Sequence, residues 1–257
     1  MFPRYATMGP MEIGIYGLGR FGKFWALQLS RYATIKGFNR TPLEQAPEGV
    51  ILVSKEELFK CDTIIFCVAI SALETVLKES ASLIKEGTLV MDTCSVKVYP
   101  AKIMTELLSP QVDIIATHPM FGPDSGKDGL KGLPMVFCPI RGGEAEFDIW
   151  RTLFKKMELN LLEMSCDAHD REAAYSQGVT HFVGRVLDEL ALKPTQIATL
   201  GYRRLLSIIE QTCNDPLQLF LDLQRFNPYA PAMQSRLKES LDKVLGMLSE
   251  QENGQFR

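Results

Sequence analysis

Only three side chains among the 257 residues ordinarily titrate near neutrality, the imidazoles of His118, His169 and His181. Any reaction that needs a base at neutral pH must draw on them. His118 falls in Thr117-His118-Pro119-Met120-Phe121-Gly122-Pro123, which continues through DSGKDGLKG. That stretch reads as a long glycine- and proline-containing loop at the end of a β-type run, a place where loops more often work than idle. A histidine there could take a proton, or could merely fix the loop by hydrogen bonds, and position alone favours neither. A second polar segment, Asp92-Thr93-Cys94-Ser95-Val96-Lys97, follows the apolar run TLVM. His181 closes Ser176-Gln177-Gly178-Val179-Thr180-His181 and interrupts an apolar helical pattern, as a satisfied core histidine would. His169 sits in the acidic turn CDAHDRE, where helix initiation accounts for it.

The other feature with chemical content is Gly17-Leu18-Gly19-Arg20-Phe21-Gly22, between the β-type run EIGIY and a helical stretch from Phe21 to Ser30. In that context a GxGxxG turn predicts a dinucleotide site. The first glycine permits the turn, the second lets backbone approach a pyrophosphate, and the third lets helix and sheet pack. The helix start adds N–H groups and a partial positive charge. About 20 residues on, where NAD sites place an acid, the chain reads Gly37-Phe38-Asn39-Arg40-Thr41. Arg40 can pair with a 2′-phosphate, and Asn39 and Thr41 can donate hydrogen bonds to it. The expected cofactor is therefore NADP, with NAD as the alternative. Val68, at the end of DTIIFCVA, completes the expected cofactor contacts.

The elements that must position these groups alternate in the first part of the chain. β-type runs at 12–16, 34–39, 50–53, 62–69, 88–92, 112–116, 134–139 and 159–164 are separated by helical stretches, one of them SALETVLKESASLIKEG. This order predicts βαβ units, right-handed crossovers and a mainly parallel sheet, the Rossmann-type α/β arrangement. Beyond Met164 only helical periodicity remains. The expected organisation is a dinucleotide-binding domain over residues 11–165 and an all-helical domain over 166–257. The second is small for its aliphatic content, so a second copy of the chain is expected to complete it.

Composition narrows the classes further. A formal charge of −3 gives no bulk attraction for nucleic acid or anionic lipid. The longest apolar run, Ile64 to Ile70, falls far short of the ~20 residues that span a bilayer. The six cysteines form no CxxC pair, which favours reduced thiols over a disulfide frame or a zinc site. No metal ligand set is expected. MFPRYATMGP reads as a loose leader, and SEQENGQFR as a frayed end.

HPMFGPDSGKDGLKGLPMVF, DTCSVK and SQGVTHFVGRVL together resemble the prephenate and arogenate dehydrogenases of tyrosine biosynthesis, the plant-type arogenate enzymes most closely. GYRRLLSIIEQTCNDPLQLFLDLQRFNPYA resembles their C-terminal helical segment. The resemblance implies a Rossmann domain followed by a helical dimerisation domain in a homodimer. It implies oxidative decarboxylation of arogenate to tyrosine, with prephenate to 4-hydroxyphenylpyruvate as the alternative. It places His118 as the catalytic histidine, Ser95 as the serine that orients it, and His181 at the substrate. Many prephenate-type members have a side-chain-carboxylate arginine where this chain has Ser207, so Arg203 and Arg204 are the nearby cations, with Lys97 a further expected substrate contact. Asp222 and Asp124 are candidates for the acid that would greet arogenate's amino group. The compartment implied is the cytoplasm, or a plastid if a transit peptide has been removed. A β-hydroxyacid dehydrogenase is a poorer match, since Lys193 is badly placed for its catalytic lysine. A silent dinucleotide sensor would have no need of both Ser95 and His118.

Overall fold

A computed structural model describes residues 11–254. The expected leader lies outside them, as do the last three residues of the expected frayed end. The chain runs β1 (Glu12–Tyr16), α1 (Arg20–Leu29), β2 (Thr34–Phe38), β3 (Val50–Leu52), α2 (Lys55–Leu58), β4 (Thr63–Phe66), α3 (Ile70–Lys78), β5 (Leu89–Asp92), α4 (Val98–Leu107), β6 (Asp113–Pro119), β7 (Pro134–Arg141), α5 (Glu144–Lys156) and β8 (Asn160–Glu163). The eight strands form one sheet in the order β3-β2-β1-β4-β5-β6-β7-β8. Every neighbouring pair is parallel except β6 and β7. This is a Rossmann-type sheet with an antiparallel turn-back near one edge. Strand order reverses between β1 and β4, so their carboxyl ends open the crevice in which such sheets take ligands.

The apolar runs explain the layering. Each residue of β4 and β5 is buried, as expected for central parallel strands covered on both faces. α1 turns Trp25, Ala26 and Leu29 onto the sheet, where they join Ile13, Ile15 and Ile35. The Trp25 ring meets Phe154 of α5 at 6.2 Å between centroids. The long helical stretch expected after β4 is shorter than its sequence suggests. α3 ends at Lys78, and only a single 3-10 turn, Ala81–Leu83, follows. Its serines compete with the helical backbone for hydrogen bonds.

Two compact units divide the chain after His169, beyond the expected boundary near residue 165. The division falls within α6 (Cys166–Ala173), which passes into a π-helical turn at Ala174–Gly178 and then α7 (Val179–Glu189). α8 (Leu200–Cys213), α9 (Leu217–Phe226) and α10 (Ala230–Gly254) complete the second unit. Thr199 caps α8 by accepting from the Tyr202 amide at 3.1 Å. α7 crosses α8 closely at Gly184, where a Cβ would strike the Thr212 hydroxyl. α10 leaves Leu241, Val244, Leu245 and Leu248, at helical spacing, more than half exposed. Leu217 and Leu221 of α9 are exposed as well. No helix among the described residues is long and apolar enough to cross a membrane.

Candidate active site

The glycine-rich turn bridges β1 and α1 at the point where strand order reverses. Gly17 has φ = +103°, a conformation that strains any residue with a Cβ, and a Cβ there would also strike the Cys67 carbonyl. Gly22 packs so near the turn that a Cβ would collide with the Gly17 carbonyl oxygen. Gly19 differs, because nothing lies within 4 Å of its Cβ position. That side is open for a ligand to come against the backbone. α1 starts there with no side-chain cap and no acid in its first turn, so the partial positive charge of its N-terminus is left for an anion. These residues fit the pyrophosphate of a dinucleotide. Val68 lies alongside, its Cγ1 3.1 Å from the Cβ position of Gly17.

Asn39 is drawn into the scaffold. Its carbonyl oxygen accepts from the Leu18 amide at 2.9 Å, and its amide nitrogen donates to the Thr41 carbonyl at 2.7 Å. It therefore ties the end of β2 to the glycine turn, with one N–H left for a ligand. Arg40 and Thr41 are exposed, and Arg40 makes no salt bridge with another described residue. Arg20 reaches across to Asp124, 2.5 Å away, which tethers the loop after β6 to the glycine turn. That pairing places Asp124 at the dinucleotide turn.

The DTCSVK segment builds a buried ionic network beneath His118. Asp92 ends β5, and Lys97 precedes α4; both side chains are wholly buried and form a salt bridge. The Lys97 ammonium also donates to the Thr117 carbonyl. The Asp92 carboxylate accepts from the Cys94 amide at 3.0 Å and the Thr117 amide at 3.2 Å, and the Thr117 hydroxyl donates to the Asp92 carbonyl. Burial pulls the Lys97 pKa down, but Asp92, with Cys94 and Cys138, more than offsets it and the net value is raised, so the ammonium stays charged. The expectation that Lys97 contacts substrate is corrected. With no exposed surface, its charge is spent on holding β5 to β6 one residue before His118. Cys94, also buried, has its thiol pKa pushed far above the ordinary value by desolvation, so it is an inert thiol.

His118 belongs to β6 and not to the loop, with Val136 of β7 as its Cα partner. Its ring is buried. Its Nδ1 lies 2.9 Å from Nε2 of His169, and the two rings meet edge to face at 5.1 Å. Ser95 is buried at the start of the loop after β5, but among the described residues no hydrogen bond joins it to His118. The partner that the structure gives His118 is a second histidine, which sequence reasoning missed. The two residues are 51 positions apart, and His169 alone looked like part of a helix start.

In the helical unit, His181 is buried on α7 and its Nδ1 has no hydrogen-bond partner. Desolvation lowers its pKa below the ordinary imidazole value, against the nearby Asp215, so it is neutral at pH 7. Gln177 and Arg185, four residues to either side, likewise carry a buried polar atom without a partner, Oε1 and Nε respectively. Three such orphans along one helical stretch mark a polar strip that only their common spacing could have suggested. A π-turn at the head of that stretch is a frequent companion of function. Arg203 and Arg204 are exposed in the first turn of α8, and Arg203 donates to the Ala198 carbonyl at 3.2 Å. Arg185 is the more buried cation; it donates to the carbonyls of Thr212 and Asp215. Asp222 is buried on α9 and accepts from Gln218 at 2.7 Å.

Comparison with known proteins fixes the family. Residues 41–161 match the model of the prephenate dehydrogenase nucleotide-binding domain, and residues 186–257 match a TYRAAT1-like C-terminal domain. The chain is 32% identical over 265 residues to arogenate dehydrogenase 2, chloroplastic, of Arabidopsis thaliana, covering 98% of this chain and 74% of that protein. The chain belongs to the prephenate/arogenate dehydrogenase family. Family members are NAD(P)-dependent oxidoreductases. A second Arabidopsis relative, arogenate dehydrogenase 1, chloroplastic, is 35% identical over 246 residues, which cover 91% of this chain but only 38% of that longer protein. Among solved structures, the fold matches prephenate dehydrogenase from A. aeolicus, with TM-score 0.71 and 16% identity over 96% of this chain and 93% of that one. It matches Synechocystis arogenate dehydrogenase with TM-score 0.69 and 18% identity over 94% and 93% of the two chains.

Proposed function

We propose that the chain oxidatively decarboxylates arogenate to tyrosine with NADP as hydride acceptor. The observation that carries this reading is the buried His118 imidazole at the carboxyl end of β6, in the same unit as the glycine turn and locked from below by Asp92, Lys97 and Thr117. A bound dinucleotide supplies the acceptor for the hydride that leaves C4 of the cyclohexadienol ring. His118 holds the proton released by the C4 hydroxyl as it becomes a carbonyl, a general-base contribution of ~10²–10⁴ in rate. Ser95, which makes no hydrogen bond to another described residue, donates to the same oxygen and orients it. Loss of carbon dioxide from C1 then leaves an aromatic ring. His181 contacts the substrate, as the family resemblance implies. A homodimer through the helical unit covers the apolar faces of α9 and α10.

The test is reduction of NADP followed by absorbance, with arogenate and prephenate in parallel. Turnover with neither substrate would discard the reading. Two substitutions refine it. Arg40→Ala should weaken NADP binding at least about tenfold while leaving NAD nearly unchanged, the value of a lost charge-assisted phosphate contact. Equal losses for both cofactors would show that Arg40 does not read the 2′-phosphate. Asp222, a buried acid of the helical unit, is the candidate for arogenate's ammonium group. Asp222→Asn should shift the kcat/KM ratio toward prephenate by about tenfold to a hundredfold. An unchanged ratio would remove Asp222 from the specificity argument.

A further inference from the structure

The histidine couple assigns a task to a residue that the proposed reaction leaves without one. A neutral imidazole carries one N–H and one lone pair, and a base must present the lone pair toward its substrate. His118 Nδ1 is engaged by His169 Nε2 at 2.9 Å. Two arrangements satisfy that contact. If His169 donates, Nδ1 of His118 supplies the lone pair, the remaining nitrogen Nε2 bears the hydrogen, and the residue is useless as a base. If His118 donates from Nδ1 into the His169 lone pair, Nε2 of His118 keeps its lone pair for the substrate hydroxyl. We infer that His169 is a positioning residue which holds His118 in the second arrangement.

The surroundings favour a fixed partner over a chance contact. Both rings are buried, with 3% of each residue exposed. His169 lies in the first turn of α6, whose start is pinned by Ser165. The Ser165 hydroxyl accepts from the Ala168 amide at 3.1 Å, and its carbonyl accepts from the His169 amide at 3.0 Å. The other end of the couple is no looser, since the Asp92–Lys97 network grips Thr117 on both its amide and its carbonyl. Two separately anchored backbones therefore set the approach of the rings.

Both the tautomer and the catalytic part of this inference rest on the function proposed above. The decisive measurement is the side-chain ¹⁵N spectrum of His118 in the intact chain, without substrate. It should show a protonated Nδ1 and an unprotonated Nε2, and His169→Ala should convert it to a mixture. His169→Ala should lower kcat about tenfold or more, below the ~10⁴ lost when a charged orienting partner is neutralised, with KM for substrate and cofactor little changed. His169→Gln, whose amide oxygen can accept the same bond, should restore most of that loss. A wild-type spectrum with Nε2 of His118 protonated would overturn the inference, as would equal kcat losses for the Ala and Gln variants. A chain with the expected spectrum but no turnover of arogenate or prephenate would uphold the couple and refute the reaction.

Discussion

Methionine at position 97 lowers the stability of the fold by about 3–5 kcal/mol, the cost of removing one partner from a fully buried ion pair. The side chain that remains, Asp92, has no exposed surface and cannot recover its lost charge partner from water. The Thr117 carbonyl loses a donor at the same time. Against a total of about 5–15 kcal/mol for a typical domain, this is a large share. Denaturant unfolding of Lys97→Met followed by circular dichroism should show the midpoint fall sharply at unchanged slope. The double variant Asp92→Asn with Lys97→Met should be less destabilised than the sum of the single changes, because no charge is left stranded. A single variant with a wild-type midpoint would mean that water reaches the pair and that the network does not set the site.

Asparagine at position 118 gives the second large effect, and a different one. The replacement is small and polar, so the unfolding midpoint should move little. Binding of the reduced cofactor, followed by fluorescence titration, should persist because the glycine turn is untouched. Turnover of arogenate should fall at least about 100-fold, the lower end of general-base contributions. The two variants separate by what they lose: Lys97→Met loses stability, His118→Asn only the rate. Near-normal turnover in the second would refute His118 as the base.

The alternation of apolar runs was enough to foresee the sheet, because strands buried on both faces, such as β4 and β5, are built from little else. The glycine turn was legible for the same local reason, since its three positions answer to steric demands within a few residues. What failed to show were pairings made at long range. His118 looked like a loop residue because the strand that holds it, β7, begins only at Pro134. Lys97 looked like a substrate contact alongside the family resemblance, and only the fold reveals that Asp92 and Thr117 hold it. His169 looked like helix punctuation, and it does occupy a first turn; its ring contact depends on where α6 starts relative to β6. The π-turn at Ala174–Gly178 left no mark in the periodicity, which ran smoothly from Ala173 onward.

The placement of His118 inside a hydrogen-bonded strand has an evolutionary corollary. The segment from Met120 to Leu133 lies beyond the last ladder position of β6; Phe121 and Leu130 anchor it in the core, and Asp124 pairs with Arg20. Lineages that keep those two anchors can therefore vary the exposed stretch between them while the imidazole stays where the sheet put it. Variation of that stretch and preservation of the chemical step are thereby written into separate parts of the gene.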